Sequence, residues 1–110
     1  MEKISWNEFE KVELRAGTII EVDDFPEARK PAYKLIIDFG KNLGLKKSSA
    51  QITDLYKKDE LIGKQIIAVT NFPPKQIGTF MSECLVTGFV QGDKSVVLAV
   101  PEKRVENGSR

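Results

Sequence analysis

The sequence predicts a small all-β domain, a five-stranded β-barrel carrying short helices. Three observations carry that reading. Apolar and polar residues alternate with period two in several segments, most cleanly over residues 32–40. Glycine and proline punctuate those segments at short intervals. At 110 residues and 41% hydrophobic content, the chain suits one domain with a modest core.

The elements follow in order. Residues 1–12 read as an N-terminal helix, because Ser5 opens a capping box with Glu8. Trp6, Phe9 and Val12 fall on one side of it, so an apolar stripe is expected to lie on the body. The barrel occupies residues 13–100. Its first strand covers 13–25, with Leu14, Ala16, Ile20 and Val22 alternating and Gly17 marking a bend or bulge. Pro26 and Pro31 bracket a charged loop. The strand at 32–40 sets Tyr33, Leu35, Ile37 and Phe39 on one face, and a third strand spans 43–52 with a bend near Gly44. Residues 53–62 read as a helix, capped by Thr53 and ended by Gly63. Strands at 64–72, 81–90 and 94–100 follow, the last two joined by a hairpin at Gln91-Gly92-Asp93. Residues 101–110 form a C-terminal extension. Three strands, a helix and then further strands is the order of an oligonucleotide-binding (OB) fold barrel, closed to avoid exposed edges.

Composition excludes several classes of function. No run approaches the 18 or so apolar residues of a membrane span, and residues 1–11 are too charged for a signal peptide. The single Cys84 permits no internal disulfide and fits a reducing cytoplasm. With no histidine, the usual general base and commonest metal ligand are both absent. Cys84 has no histidine to activate it and reads as a small apolar strand residue. No phosphate-binding glycine loop is present. The chain reads as non-catalytic, with no cofactor and no metal.

Charge is uneven along the chain although its net value is +1. Residues 1–28 carry eight acidic and three basic side chains, and residues 29–58 carry eight basic and two acidic. Such a swing can steer a polyanion, or simply keep a lysine face soluble. Lys46-Lys47-Ser48-Ser49-Ala50-Gln51 combines two cations with hydrogen-bonding side chains at the end of a strand. Lys46 and Lys47 suit phosphates, Ser49 and Gln51 suit sugar or base edges, and Arg15 and Lys64 can extend the patch. The alternative reading is a polar strand edge. Pro73 and Pro74 stop the strand at 64–72 and leave a stiff connection to Lys75, Gly78 and Ser82. Phe72 and Phe80 flank it as the best exposed aromatics.

Several ordered motifs resemble the tRNA-binding OB-fold family. Leu14-Arg15-Ala16-Gly17-Thr18-Ile19 is similar to its opening strand, and Phe25-Pro26-Glu27-Ala28 to the following turn. Ser48-Ser49-Ala50-Gln51-Ile52, Leu61-Ile62-Gly63-Lys64 and Asn71-Phe72-Pro73-Pro74-Lys75 follow in the family's order. Many members carry Ser-Gln-Gly-Met where this chain reads Ser82-Glu83-Cys84-Leu85, and Asp-Lys-Leu where it reads Arg29-Lys30-Pro31. Both departures resemble the family's CsaA branch, which is associated with protein export. Glu83 is expected to place an anion where a neutral amide would suit RNA.

The resemblance implies a homodimer that binds unfolded polypeptide or preprotein segments, and also tRNA. The alternative is a dedicated structured-RNA binder with no chaperone role. RNA contacts are expected from Arg15, Lys46, Lys47, Ser49, Gln51, Lys64, Asn71, Lys75 and Ser82. Peptide contacts are expected from Phe72, Pro73, Pro74, Phe80 and Met81. Trp6, Phe9, Val100 and Val105 are expected at a dimer interface, unless the helix instead plugs the barrel end.

Overall fold

Period-two alternation gives each long strand one face in a common core, as the computed structural model of residues 1–110 shows. Strand β2 (Tyr33–Asp38) buries Tyr33, Leu35 and Ile37 and leaves Lys34, Ile36 and Asp38 half-buried. It pairs antiparallel with β1 (Leu14–Asp24) and with β3 (Leu45–Ala50). β1 pairs in turn with β4 (Gln65–Val69), and β4 with β7 (Leu85–Val86), giving the order β3-β2-β1-β4-β7. These five strands curl into a nearly closed antiparallel barrel, the OB architecture expected. Phe39, Ile19, Leu35, Ile37, Leu61 and Ile66 are fully buried at its centre.

Closure between β3 and residues 82–84 uses side chains beside backbone. Glu83 N–H donates to Lys47 O at 2.7 Å, and Lys47 N–H donates to Glu83 Oε1 at 2.9 Å. Ser49 N–H donates to Ser82 Oγ at 3.1 Å, and the fully buried Ser48 Oγ donates to Cys84 O at 3.0 Å. A buried strand edge left unpaired would cost the desolvation of each group, so these contacts stand in for a regular ladder.

Gly17 is required by packing and not by a bulge. A β-carbon there would lie 2.6 Å from the Phe39 ring and 2.7 Å from an Ile37 methyl. The irregularity falls three residues later, where Ile19 pairs with Ile37 and Glu21 with Ile36. Ile20 is the extra residue, 40% exposed at the bulge. The core face therefore carries Gly17 and Ile19 before it and Val22 beyond it, while Leu14 and Ala16 lie on the other face, opposite to the alternation expected.

The helices are shorter than the sequence suggests. Helix α1 (Trp6–Glu10) carries both halves of the capping box, Glu8 N–H to Ser5 Oγ and Ser5 N–H to Glu8 Oε1. Its apolar stripe is not laid on the body: Trp6 is 74% and Phe9 47% exposed. Polar contacts secure the segment instead, with Asn71 Nδ2 donating to Lys11 O at 2.6 Å and Asn71 Oδ1 accepting from Glu13 N–H at 3.1 Å. A one-turn helix α2 (Gly40–Leu43) precedes β3. Helix α3 (Lys58–Leu61) is all that forms of the helix expected over 53–62. Tyr56 holds the preceding residues non-helical, because its C=O accepts from the Tyr33 hydroxyl at 2.8 Å and its own hydroxyl accepts from Leu98 N–H at 3.0 Å.

The strand expected over 81–90 is broken into β6 (Phe80–Ser82), β7 and β8 (Gly88–Val90). Its first part folds back on β5 (Lys75–Ile77) as a small two-stranded arm, where the sequence predicts only a stiff connection. Gly78, at φ +60°, makes the turn of that arm. β8 pairs with β9 (Val96–Leu98) through the expected hairpin. There the Asp93 carboxylate accepts from both Ser95 Oγ and Ser95 N–H, which holds its carboxyl below the usual range.

The C-terminal extension returns to β1. Ala16 N–H donates to Ser109 O at 2.9 Å and Gly108 N–H to Ala16 O at 2.7 Å. Asn107 Oδ1 accepts from Thr18 Oγ1 and Gln65 Nε2. No helix is long and apolar enough to cross a membrane.

Candidate functional site

A groove of about 780 Å³ opens where β3 diverges from β7 and β8. One wall is the end of β3 and the residues after it, Ser49 to Ile52. The opposite wall runs from Ser82 through Val86 to Val90, and the arm closes one end with Lys75 and Ile77. Phe72 and Pro73 form the lip, with Phe72 54% exposed. The lining is mainly apolar, and Lys75 is its only charged side chain. Cys84 lies buried in this lining, where burial pushes its thiol up to about 11, so it remains a neutral apolar group near pH 7.

The groove therefore gathers Ser49, Gln51, Lys75 and Ser82 from the expected RNA contacts with Phe72 and Pro73 from the expected peptide contacts. The Ser82 hydroxyl already accepts from Ser49 N–H, whereas Gln51 is exposed and its polar groups make no hydrogen bond within the chain. Met81 pairs with Gln76 on the opposite face of the arm from Lys75 and Ser82, and Pro74 is exposed outside the groove.

Phe80 is half-buried, not exposed as expected. Its ring meets Phe25 edge-on at 5.4 Å between centroids. The Lys47 and Lys34 ammonium groups lie 5.5 Å and 6.0 Å from its centroid. This cation–π cluster fastens the arm to the outside of β2 and β3. Lys46 and Lys47 do not act as a pair: Lys46 stands opposite core residue Ile37 and Lys47 opposite Ile36, so alternation sends them to different faces.

Other expected RNA contacts are engaged in structure. Arg15 donates to Glu13 Oε1 at 2.6 Å and to Gly108 O at 3.0 Å, and Asn71 ties α1 to the body. Lys64 sits 5.8 Å from the Tyr56 ring, outside the groove. The acidic and basic segments also interleave. Asp23 stands opposite Lys34, and Asp24 accepts from Lys58 at 2.8 Å, which raises the lysine's pKa. Trp6, Phe9, Val100 and Val105 are all exposed, at 42–74%. Helix α1 and the C-terminus adjoin, since Arg110 Nη2 donates to Glu10 O at 2.5 Å.

Sequence reasoning missed the seam role of Glu83, which engages Lys47 with its carboxylate and its own N–H. It also missed Lys34, although its place between core residues Tyr33 and Leu35 puts it on the outer face. The whole wall at 86–90 went unread because the break at Thr87 is made by tertiary pairing: Thr87 N–H and Oγ1 both donate to Ile67 O. No group of three or more His, Cys, Asp or Glu residues is placed to hold a metal ion.

Comparison with known proteins gives consistent findings. Residues 14–110 match the family described as "Putative tRNA binding domain". The fold superposes on the crystal structure of a CsaA chaperone protein from Picrophilus torridus with a TM-score of 0.92, at 58% identity and 97% coverage of each chain. It superposes on chaperone CsaA from Bacillus anthracis with a TM-score of 0.93, at 47% identity, covering 98% of this chain and 97% of that one. Among curated proteins, the chain is 34% identical over 110 residues to methionine–tRNA ligase of Thermococcus kodakarensis. It spans only 13–16% of the length of such ligases.

Proposed function

The chain belongs to the tRNA-binding domain family and to its CsaA group, and on that premise we propose that it is a non-catalytic protein that binds both tRNA and unfolded polypeptide. One observation carries the reading. A single groove joins hydrogen-bonding and cationic groups (Ser49, Gln51, Lys75) to an apolar wall and an aromatic lip (Val86, Val90, Phe72). Apolar surface of that extent suits side chains of an unfolded segment. Lys75 at the end of the groove, with Lys34 and Lys47 on the adjoining outer face, offers separate phosphate contacts.

In this reading the polypeptide partners are unfolded or preprotein segments, the working form is a cytoplasmic homodimer, and the role is chaperoning linked to protein export. The ligases' catalysis does not transfer, because the chain spans so little of those enzymes. A second reading, a dedicated binder of structured RNA, draws on the family and on the ligase relatives.

The test is a filter-binding titration of bulk tRNA at low and physiological salt, with a labelled unfolded polypeptide as competitor. Saturable tRNA binding that weakens steeply with salt, together with saturable polypeptide capture, is the expected result. RNA binding with no polypeptide capture favours the second reading. Neither ligand binding contradicts both.

A further inference from the structure

The groove contains an unused sheet edge. Leu85 pairs with Val69. Thr87 N–H donates to Ile67 O at 3.0 Å, while its C=O accepts from Ala99 N–H at 3.1 Å, and Phe89 pairs with Val97. Residues 85, 87 and 89 thus commit their backbone groups to β4 and β9. Strand alternation turns the N–H and C=O groups of Val86, Gly88 and Val90 the other way, toward the groove that these three residues line. Gln51 stands on the opposite wall with its backbone and side-chain polar groups also uncommitted.

Edges of this kind are normally guarded by lysine, proline or a bulge, because they template pairing with another chain. Residues 86–90 contain neither lysine nor proline, and Val90 is 72% exposed. Charge narrows the choice of occupant. A nucleic-acid backbone would find one cation, Lys75, on these walls, whereas an apolar segment with a single acidic residue meets complementary surface throughout.

Resting on the polypeptide-binding reading above, we propose that a captured segment docks as an added β-strand along residues 86–90. Its apolar face is directed into the groove and an acidic side chain lies beside Lys75. Backbone pairing supplies affinity for many sequences, and the apolar alternation together with Lys75 supplies a preference among them.

The experiment leaves the full chain unaltered and changes the peptide. The probe is a fluorescent ten-residue peptide alternating valine and serine, with one aspartate. Two further versions are N-methylated at alternate amides, on one edge or on the other; the apolar alternation together with the strand's direction fixes which edge faces the protein. Fluorescence anisotropy gives affinities, and hydrogen exchange reads the Val86, Gly88 and Val90 amides. The expected result is binding of the parent peptide, slowed exchange at those three amides, and weakening by roughly tenfold or more for one methylated version only.

Equal affinity of all three peptides overturns strand addition and leaves the polypeptide reading standing. Absence of any peptide binding overturns both. Protection of the three amides that rises with protein concentration alone identifies a second copy as the occupant and overturns the proposal. Displacement of the peptide by single-stranded poly-uridylate, with the same amides protected, overturns it in favour of RNA.

Discussion

Glu83 and Lys47 hold the barrel seam through two hydrogen bonds, one from each backbone N–H. The carboxylate serves as an acceptor, so a neutral amide at this position can serve equally. Glu83→Ala is expected to lower unfolding stability by about 1–2 kcal/mol, because Lys47 N–H loses its partner, whereas Glu83→Gln costs less. Urea denaturation of the two variants checks this, and equal losses would contradict the assignment. Cys84 makes a pH-dependent contribution. Its ordinary value is 9.0, and burial raises it to about 11 in the fold, so the native state favours the neutral thiol. Stability from this group is complete below pH 9 and is lost as pH rises toward 11, by about 2 kcal/mol. Between pH 8 and 10.5 the wild-type chain should therefore lose more stability than Cys84→Ala. Parallel losses would show that the thiol titrates normally.

At the scale of elements, the strands that the sequence revealed are those in which alternation alone decides the face. β2 is the clearest, with Tyr33, Leu35 and Ile37 buried in strict register. In β1 the alternation predicts the wrong phase before the bulge: Gly17 and Ile19 face the core and Leu14 and Ala16 do not. The extra residue Ile20 restores the expected phase at Val22, a shift with no composition signal of its own. Residues 53–57 have the composition of a helix, yet tertiary hydrogen bonds to Tyr56 override that preference. The arm and the edge at 86–90 were hidden for a related reason: their short strands are cut by contacts to β3, β4 and β9, which are distant in sequence. The groove residues Ser49, Gln51, Phe72, Pro73, Lys75 and Ser82 were recoverable because loops after prolines and strand ends lie at barrel mouths. Arg15 and Asn71 were not separable from them by residue type, and both are occupied in holding the termini. The C-terminal extension is a structural element in its own right. Removing residues 105–110 leaves the Gln65 side chain and the Ala16 backbone without partners and takes away the acceptor of the Thr18 hydroxyl. The truncated chain should lose roughly 2–5 kcal/mol. Calorimetry checks this, and an unchanged melting temperature would refute the latch.

At the scale of the molecule, a chain of 12.3 kDa leaves Trp6, Phe9, Val100 and Val105 exposed around its termini. Apolar surface at that density fits self-association. Light scattering at micromolar concentration should give twice the chain mass, and Trp6→Glu should return it to the monomer. A monomeric wild-type chain would contradict the proposed dimer. The acidic and basic segments do not form separate hemispheres, because Asp23 and Asp24 fold against Lys34 and Lys58. The proposed recognition instead rests on a local arrangement, an apolar groove with Lys75 at one end and the Phe80 cluster fastening its arm. The most direct test of that claim is backbone amide chemical-shift mapping of the full chain, titrated in turn with tRNA and with an unfolded polypeptide. Perturbations concentrated at residues 49–52, 75–77 and 82–90 are predicted for the polypeptide, with tRNA adding residues 34 and 47. A groove left silent by both ligands, with shifts confined to helix α1, helix α3 or the C-terminal extension, would contradict the account.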